Sequence, residues 1–198
     1  GLNQVKSFLL VAGARNILST FVTKDIFDEI WKSSNQISYF AGQLSKGNKE
    51  LKETVILAGL LHDLGRLVIY SSSDENIKEL QKLLKQENSE IQALFQEIRL
   101  GVSFPEIGAM LAEKWYFPKP IQYAIRHQMK PLLSESEYIG IIYPIYLARC
   151  MVEFLNGTQK FEFIESRVLQ YFNLQNQAQF TNLAEDFKSQ FVQQYIDS

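Results

Sequence analysis

An all-α, single-domain helical bundle is the fold class this sequence predicts, on three observations. Apolar residues recur at three- and four-residue spacing through nearly its whole length, as one face of a helix requires. The interruptions are short and made of Gly, Pro, Ser, Asn and Asp, which cap helices or turn the chain. Only Leu67 to Tyr70 has strand-like composition; with no partner strand in evidence, it is read as a continuation of the helical path after Gly65.

The elements follow in order. From Asp25 to Lys46, Ile26, Ile30, Ile37, Phe40, Ala41 and Leu44 form one apolar stripe, and Gly47-Asn48 ends the run. Lys49 to His62 is a second helix, apolar on all sides from Val55 to Leu61 and therefore central. Ser71 to Asp74 breaks the path and caps a helix running to about Gln86. Another spans Ser89 to Leu100 and stops at Gly101. Ser103 and Glu106 then have the spacing of a capping box, with Pro105 in the first turn of a helix reaching Trp115. Pro120 opens a short helix to His127. Tyr138 to Asn156 is long and strongly apolar, with Pro144 predicting a kink or a restart. Glu162 to Phe172 and Thr181 to Ile196 complete the chain as two amphipathic helices.

Composition narrows the function classes. A hydrophobic fraction of 46%, with 14 Phe and 9 Tyr, is that of an ordered globular protein with a sizeable core. Twenty basic against 22 acidic residues offer no surface for nucleic acid or acidic lipid. One cysteine, Cys150, excludes an internal disulfide and a Cys-rich zinc site, and its apolar setting predicts a buried, inert thiol. No apolar run is expected to reach membrane-spanning length, and the first residues lack the regions of a signal peptide. The expected setting is cytoplasmic.

The chemistry centres on His62-Asp63. The chain holds only one other histidine, His127. Leu57-Ala-Gly-Leu-Leu-His-Asp-Leu-Gly-Arg-Leu67 resembles the central motif of the HDOD domains, a bacterial signalling branch of the HD superfamily. Trp31-Lys-Ser-Ser34, Gly101-Val-Ser-Phe-Pro-Glu-Ile-Gly-Ala-Met-Leu111, Lys114-Trp-Tyr-Phe-Pro118 and His127-Gln128 are similar to further motifs of that family, in the same order. Leu147-Ala148-Arg149 stands where the family's Ala-Asp pair ends the set. The resemblance assigns 1–157 to an HDOD-like domain and leaves 158–198 as C-terminal helices packed on it. Leu2 to Arg15 is similar to the middle of such a domain, which implies that part of the N-terminal lobe lies outside this chain.

Catalytic HD proteins hold a divalent metal with a His, the His-Asp pair and a distal Asp. Nitrogen and oxygen ligands of that kind leave open positions where a water is acidified. By the resemblance, Ser33, Phe104, Gln128 and Arg149 stand at lost-ligand positions, while His62, Asp63 and His127 remain as a relic motif. Neither phenylalanine nor a permanently charged guanidinium replaces such a ligand. The expectation is therefore no metal, no other cofactor and no catalytic residue. Arg149 is expected to occupy the cation's place and pair with Asp63. The plainer reading of His62 and Asp63 is a hydrogen-bonded pair closing a helix; of His127, a satisfied or exposed histidine; and of Trp31, Trp115 and Tyr116, core packing.

Three functions compete. The first is a non-catalytic module contacting other signalling proteins or domains, or a second copy of itself as a homodimer, with the tail helices either as contact surfaces or packed on the domain. The second is a binding module for a nucleotide or cyclic dinucleotide, with Arg66, Arg126 and Arg149 as anion contacts. The third is a metal-dependent phosphohydrolase, with Glu106 as a supplementary ligand.

Overall fold

The computed structural model describes residues 22–45, 47 and 49–196, together with 13, 16, 17, 19 and 20. Among them it is helical, with no strand: α1 (Lys24–Leu44), α2 (Lys49–Leu61), α3 (Leu64–Tyr70), α4 (Glu75–Leu84), α5 (Ser89–Leu100), α6 (Phe104–Lys114), α7 (Lys119–His127), α8 (Ile139–Leu155), α9 (Ser166–Tyr171) and α10 (Gln177–Ile196). The N-terminal motif Leu2 to Arg15 and the expected helix end at Lys46 lie outside the described residues, Gly13 and Ser45 excepted.

The most apolar segment takes the centre. Every residue of α8 from Ile141 to Glu153 is buried, and α1, α2 and α7 pack around it. Contrary to the expectation that no apolar run is long enough, the span Ser136–Leu155 is long and apolar enough by composition to cross a membrane. In this fold most of it is enclosed by the other helices. Pro144 neither ends nor restarts α8. Its missing N–H removes one i→i−4 bond, and burial on all sides holds the helix together across that gap.

A contact between two glycines positions the central motif. A Cβ on Gly65 of α3 would stand 1.9 Å from the Phe104 carbonyl oxygen and 2.6 Å from the Gly108 nitrogen. One on Gly108 of α6 would meet Ile125 at 2.9 Å and the Gly65 nitrogen at 3.1 Å. Backbone therefore lies on backbone where α3 meets α6. That sets Phe104, at the start of α6, directly beside the turn that follows His62-Asp63.

Three local expectations are corrected. The Ser103–Glu106 capping box does not form: the Ser103 side chain makes no cap bond, and Glu106 turns outward to Arg126. The Phe104 amide is satisfied instead by Gln96 Oε1 at 3.1 Å. The single helix expected over 162–172 is a short 3-10 turn, Phe161–Phe163, followed by α9, because Ile164 is extended and Glu165 is not helical. Tyr116 is no core residue. It is 92% exposed with φ +56° in the turn after α6, whereas Trp31 stacks on Phe27 and Trp115 meets Phe117 edge-on.

The phenylalanines of α10 are used internally, whereas Phe163 and Tyr171 remain exposed. Phe180 packs edge-on to Phe154 at 5.3 Å between centroids, Phe187 meets Phe40 at 5.5 Å, and Phe191 meets Tyr39 at 5.4 Å. These contacts tie α10 to α8 and α1, so the tail does not offer Phe180 or Phe187 to a partner.

Replacing Gly65 with Ala forces the α3 and α6 backbones apart. The expected loss is about 2–3 kcal/mol, at the upper end for overpacking, read as a lower midpoint in urea denaturation.

Candidate functional site

The His-Asp pair sits where α2 ends and α3 begins. The His62 Nδ1–H donates to the Gly59 carbonyl at 2.6 Å, closing the last turn of α2 and setting the ring's tautomer. His62 Nε2 then lies 3.7 Å from Asp63 Oδ2, too far for a hydrogen bond. Asp63 Oδ2 accepts instead from Arg66 Nε at 3.2 Å, one helical turn along. The other two guanidinium nitrogens of Arg66 reach α5, one to Gln92 Oε1 and the other to Ser89 Oγ at 3.0 Å. Beneath the guanidinium, at 4.2 Å from its central carbon, lies the Phe104 ring. A buried cation is thus held by a carboxylate, two neutral acceptors and an aromatic face.

A second buried cation lies on α8. Arg149 is fully enclosed and pairs with Glu153 at 2.8 Å, one turn further along the helix. The other carboxylate oxygen of Glu153 accepts from the Ser89 backbone nitrogen at 3.0 Å, at the start of α5. The expected Arg149–Asp63 pair is therefore not made. Helical spacing explains the outcome: an (i, i+4) carboxylate lies one turn away on the same face, while Arg66 reaches Asp63 first at (i, i+3). Arg149 acts on Asp63 only through its field.

The remaining positions resolve as follows. Gln128 is wholly buried, and its Nε2 donates to the His62 carbonyl at 2.6 Å and to the Ile125 carbonyl at 3.0 Å, fastening α7 to the motif. Ser33 is half-buried on α1. His127 stacks on Tyr123 at 5.9 Å, shares no hydrogen bond or ion pair with His62 or Asp63, and lines a surface groove. Arg126, on the rim of that groove, pairs with Glu106 at 3.2 Å. The three arginines therefore do not converge. Sequence reasoning missed Glu153, Gln92 and Ser89 as members of the site, and named Gln128 only as a lost ligand, not as the clasp on the His62 carbonyl. Only Glu153 carried a signal, four residues beyond Arg149.

Burial sets the protonation states. It pushes His62 below its ordinary value, so the ring is neutral in the fold. It pushes Asp63 upward, but Arg66 foremost, by charge and by hydrogen bond, and then Arg149 outweigh it and hold the carboxyl below its usual range. Cys150 is enclosed, and burial pushes its thiol up to about 12, leaving it without thiolate reactivity.

The donor set does not fit a divalent metal. Among the described residues, no group of three or more His, Cys, Asp or Glu side chains comes together in a way that could hold one. The one carboxylate of the motif gives Oδ2 to Arg66 and keeps only a buried Oδ1 without a hydrogen-bond partner, and Arg149 adds a second positive field beside it.

Fold and motif together define a helical domain of the HD type. The HDOD domain profile matches residues 1–131, and the chain belongs to that family. It is 30% identical over 193 residues to an uncharacterised protein of Treponema pallidum (strain Nichols), covering 96% of this chain and 37% of that protein's length. An HDOD domain protein of unknown function from Geobacter sulfurreducens superposes with a TM-score of 0.72 at 17% identity, over 98% of this chain and 69% of its own. A candidate signal-transduction protein from Marinobacter aquaeolei VT8 gives 0.67 at 22% identity, over 81% of this chain and 36% of its own. The chain thus spans little more than a third of its Treponema relative.

Two measurements check this network. Arg149→Met strands the Glu153 carboxylate in the interior, and an unpartnered buried charge costs about 3–5 kcal/mol. The double variant Arg149→Met/Glu153→Gln keeps an acceptor for Ser89 and is expected to recover much of that loss in urea denaturation. The second measurement is of pH. An unfolded chain takes up a proton at His62 near 6.5, whereas the folded ring resists it, so stability falls as pH drops through 6.5. The Asp63 contribution is present above about 3.8 and is lost as pH falls further, through its lower folded value. The melting temperature is therefore expected to decline between about pH 7 and 5, and His62→Asn is expected to flatten that decline.

Proposed function

We propose that the chain is a non-catalytic signalling module that works by contact with other proteins, its HD motif converted to a structural brace. One observation carries this reading. Three positions where the resemblance expects metal ligands hold side chains with contacts of their own: Phe104 beneath Arg66, Gln128 on the His62 carbonyl, Arg149 on Glu153. Each is a stabilising use incompatible with keeping the position open for water and substrate. Membership of the HDOD family, and the likeness of fold to a candidate signal-transduction protein, support the signalling setting.

We take the setting as bacterial and cytoplasmic. The relatives come from bacteria, and the membrane-length span lies mostly inside the bundle. The nucleotide-binding reading is less well supported, because Arg66, Arg126 and Arg149 each already hold a carboxylate.

The test is chemical and cellular. Protein titrated with manganese, iron(II) or zinc is expected to take up no stoichiometric metal by calorimetry and to hydrolyse phosphodiesters no faster than buffer. Metal-dependent hydrolysis that His62→Ala abolishes would overturn the reading. Crosslinking in the living bacterium is expected to join the module to another signalling protein.

A further inference from the structure

An open groove of about 780 Å³ runs between α5, the start of α6 and the segment after α7. Its walls are largely apolar, and Leu94, Leu133 and Phe163 are 51%, 70% and 68% exposed. Ile98, one turn beyond Leu94 on α5, is 68% exposed and continues the apolar path past the groove. Rim charges cancel within the protein: Arg126 with Glu106 and Lys130 with Glu97, both at 3.2 Å.

Two lining groups are left over. Glu90, half-buried in the groove lining, has no ion pair or hydrogen bond; the fields of Arg149 and Lys130 reach it from a distance and are opposed by those of Glu165 and Glu153. Gln159 is 3% exposed, and its Nε2 has no acceptor. A flipped amide does not remove that vacancy. Asn88 Oδ1 caps α5 by accepting from the Ile91 nitrogen at 2.9 Å, which fixes Asn88 Nδ2 as the donor to Gln159 Oε1, also at 2.9 Å. Gln159 must then present an N–H without a partner.

We propose that this groove docks an amphipathic segment of a partner protein, apolar along one face, with a lysine or arginine set against Glu90 and a hydrogen-bond acceptor facing Gln159. Charge complementarity selects the occupant. With the rim charges paired among themselves, Glu90 is the one lining carboxylate without a contact partner, and a partly desolvated carboxylate of that kind favours a cation over phosphate or an acidic peptide. Length selects it too, since the exposed stripe from Leu94 to Ile98 extends beyond what a small molecule covers. The proposal rests on the module reading and names the surface and partner chemistry that the reading requires.

The test uses a displayed library of random peptides of about 16 residues, ~24 Å long as a helix, selected on the chain. Enriched peptides are expected to carry Lys or Arg among apolar residues at helical spacing. They are expected to bind Glu90→Lys and Leu94→Asp proteins at least about tenfold more weakly, and Glu113→Lys, exposed on α6 outside the groove, equally well. Melting curves of the variants confirm that each is folded. No enrichment, enrichment of acidic or uncharged peptides, or binding indifferent to both groove variants would overturn the proposal. Such a failure removes this groove alone, whereas metal-dependent hydrolysis lost in His62→Ala removes the module reading itself.

Discussion

A guanidinium does not lose its proton, so one enclosed in a protein interior demands a carboxylate in contact or a large desolvation penalty. Two such groups lie inside this bundle, and meeting their demand organises much of what surrounds them. Arg66 draws Asp63, Gln92, Ser89 and the Phe104 ring into one cluster. Arg149 draws Glu153, and Glu153 reaches the same Ser89 through its backbone nitrogen. The two cations thus meet at the N-terminal turn of α5, a helix that buries little apolar surface of its own. Polar pins hold α5 where its hydrophobic contacts would not.

This brace connects the motif to the surface. Asn88, next to Ser89, caps α5 and holds Gln159, which lines the groove. The same few residues therefore hold one wall of the groove and neutralise the interior. A change in the seating of α5 is felt at Arg66 and Glu153, because their hydrogen bonds end on it. Coupling of that kind needs no catalysis. It requires a rigid connection between an exposed face and a buried network, which a packed helical bundle supplies.

Much of this was legible in one dimension. Helical periodicity located α1, α2 and α4 to α8 within a few residues, because a buried stripe repeats with the turn of the helix. The departures came where local and distant partners compete. Ser103 and Glu106 have the spacing of a capping box, yet Arg126, brought near from α7, takes the Glu106 carboxylate. Tyr116 reads as core by composition, but the turn after α6 points it to solvent. The Arg149–Asp63 pair failed for a related reason: the chain places a carboxylate within one turn of each arginine, and the nearer one wins.

The sequence alone determined that the chain is helical, that the α8 segment is long and strongly apolar, and that His62-Asp63 closes a helix. Those properties depend on residue type and spacing, which folding does not change. Tertiary structure alone decided which carboxylate neutralises which arginine, that Gln128 grips the His62 backbone, and that Glu90 and Gln159 are left over beside an apolar groove. Such facts depend on distances between residues far apart in the chain, and only the packing of helices sets those distances.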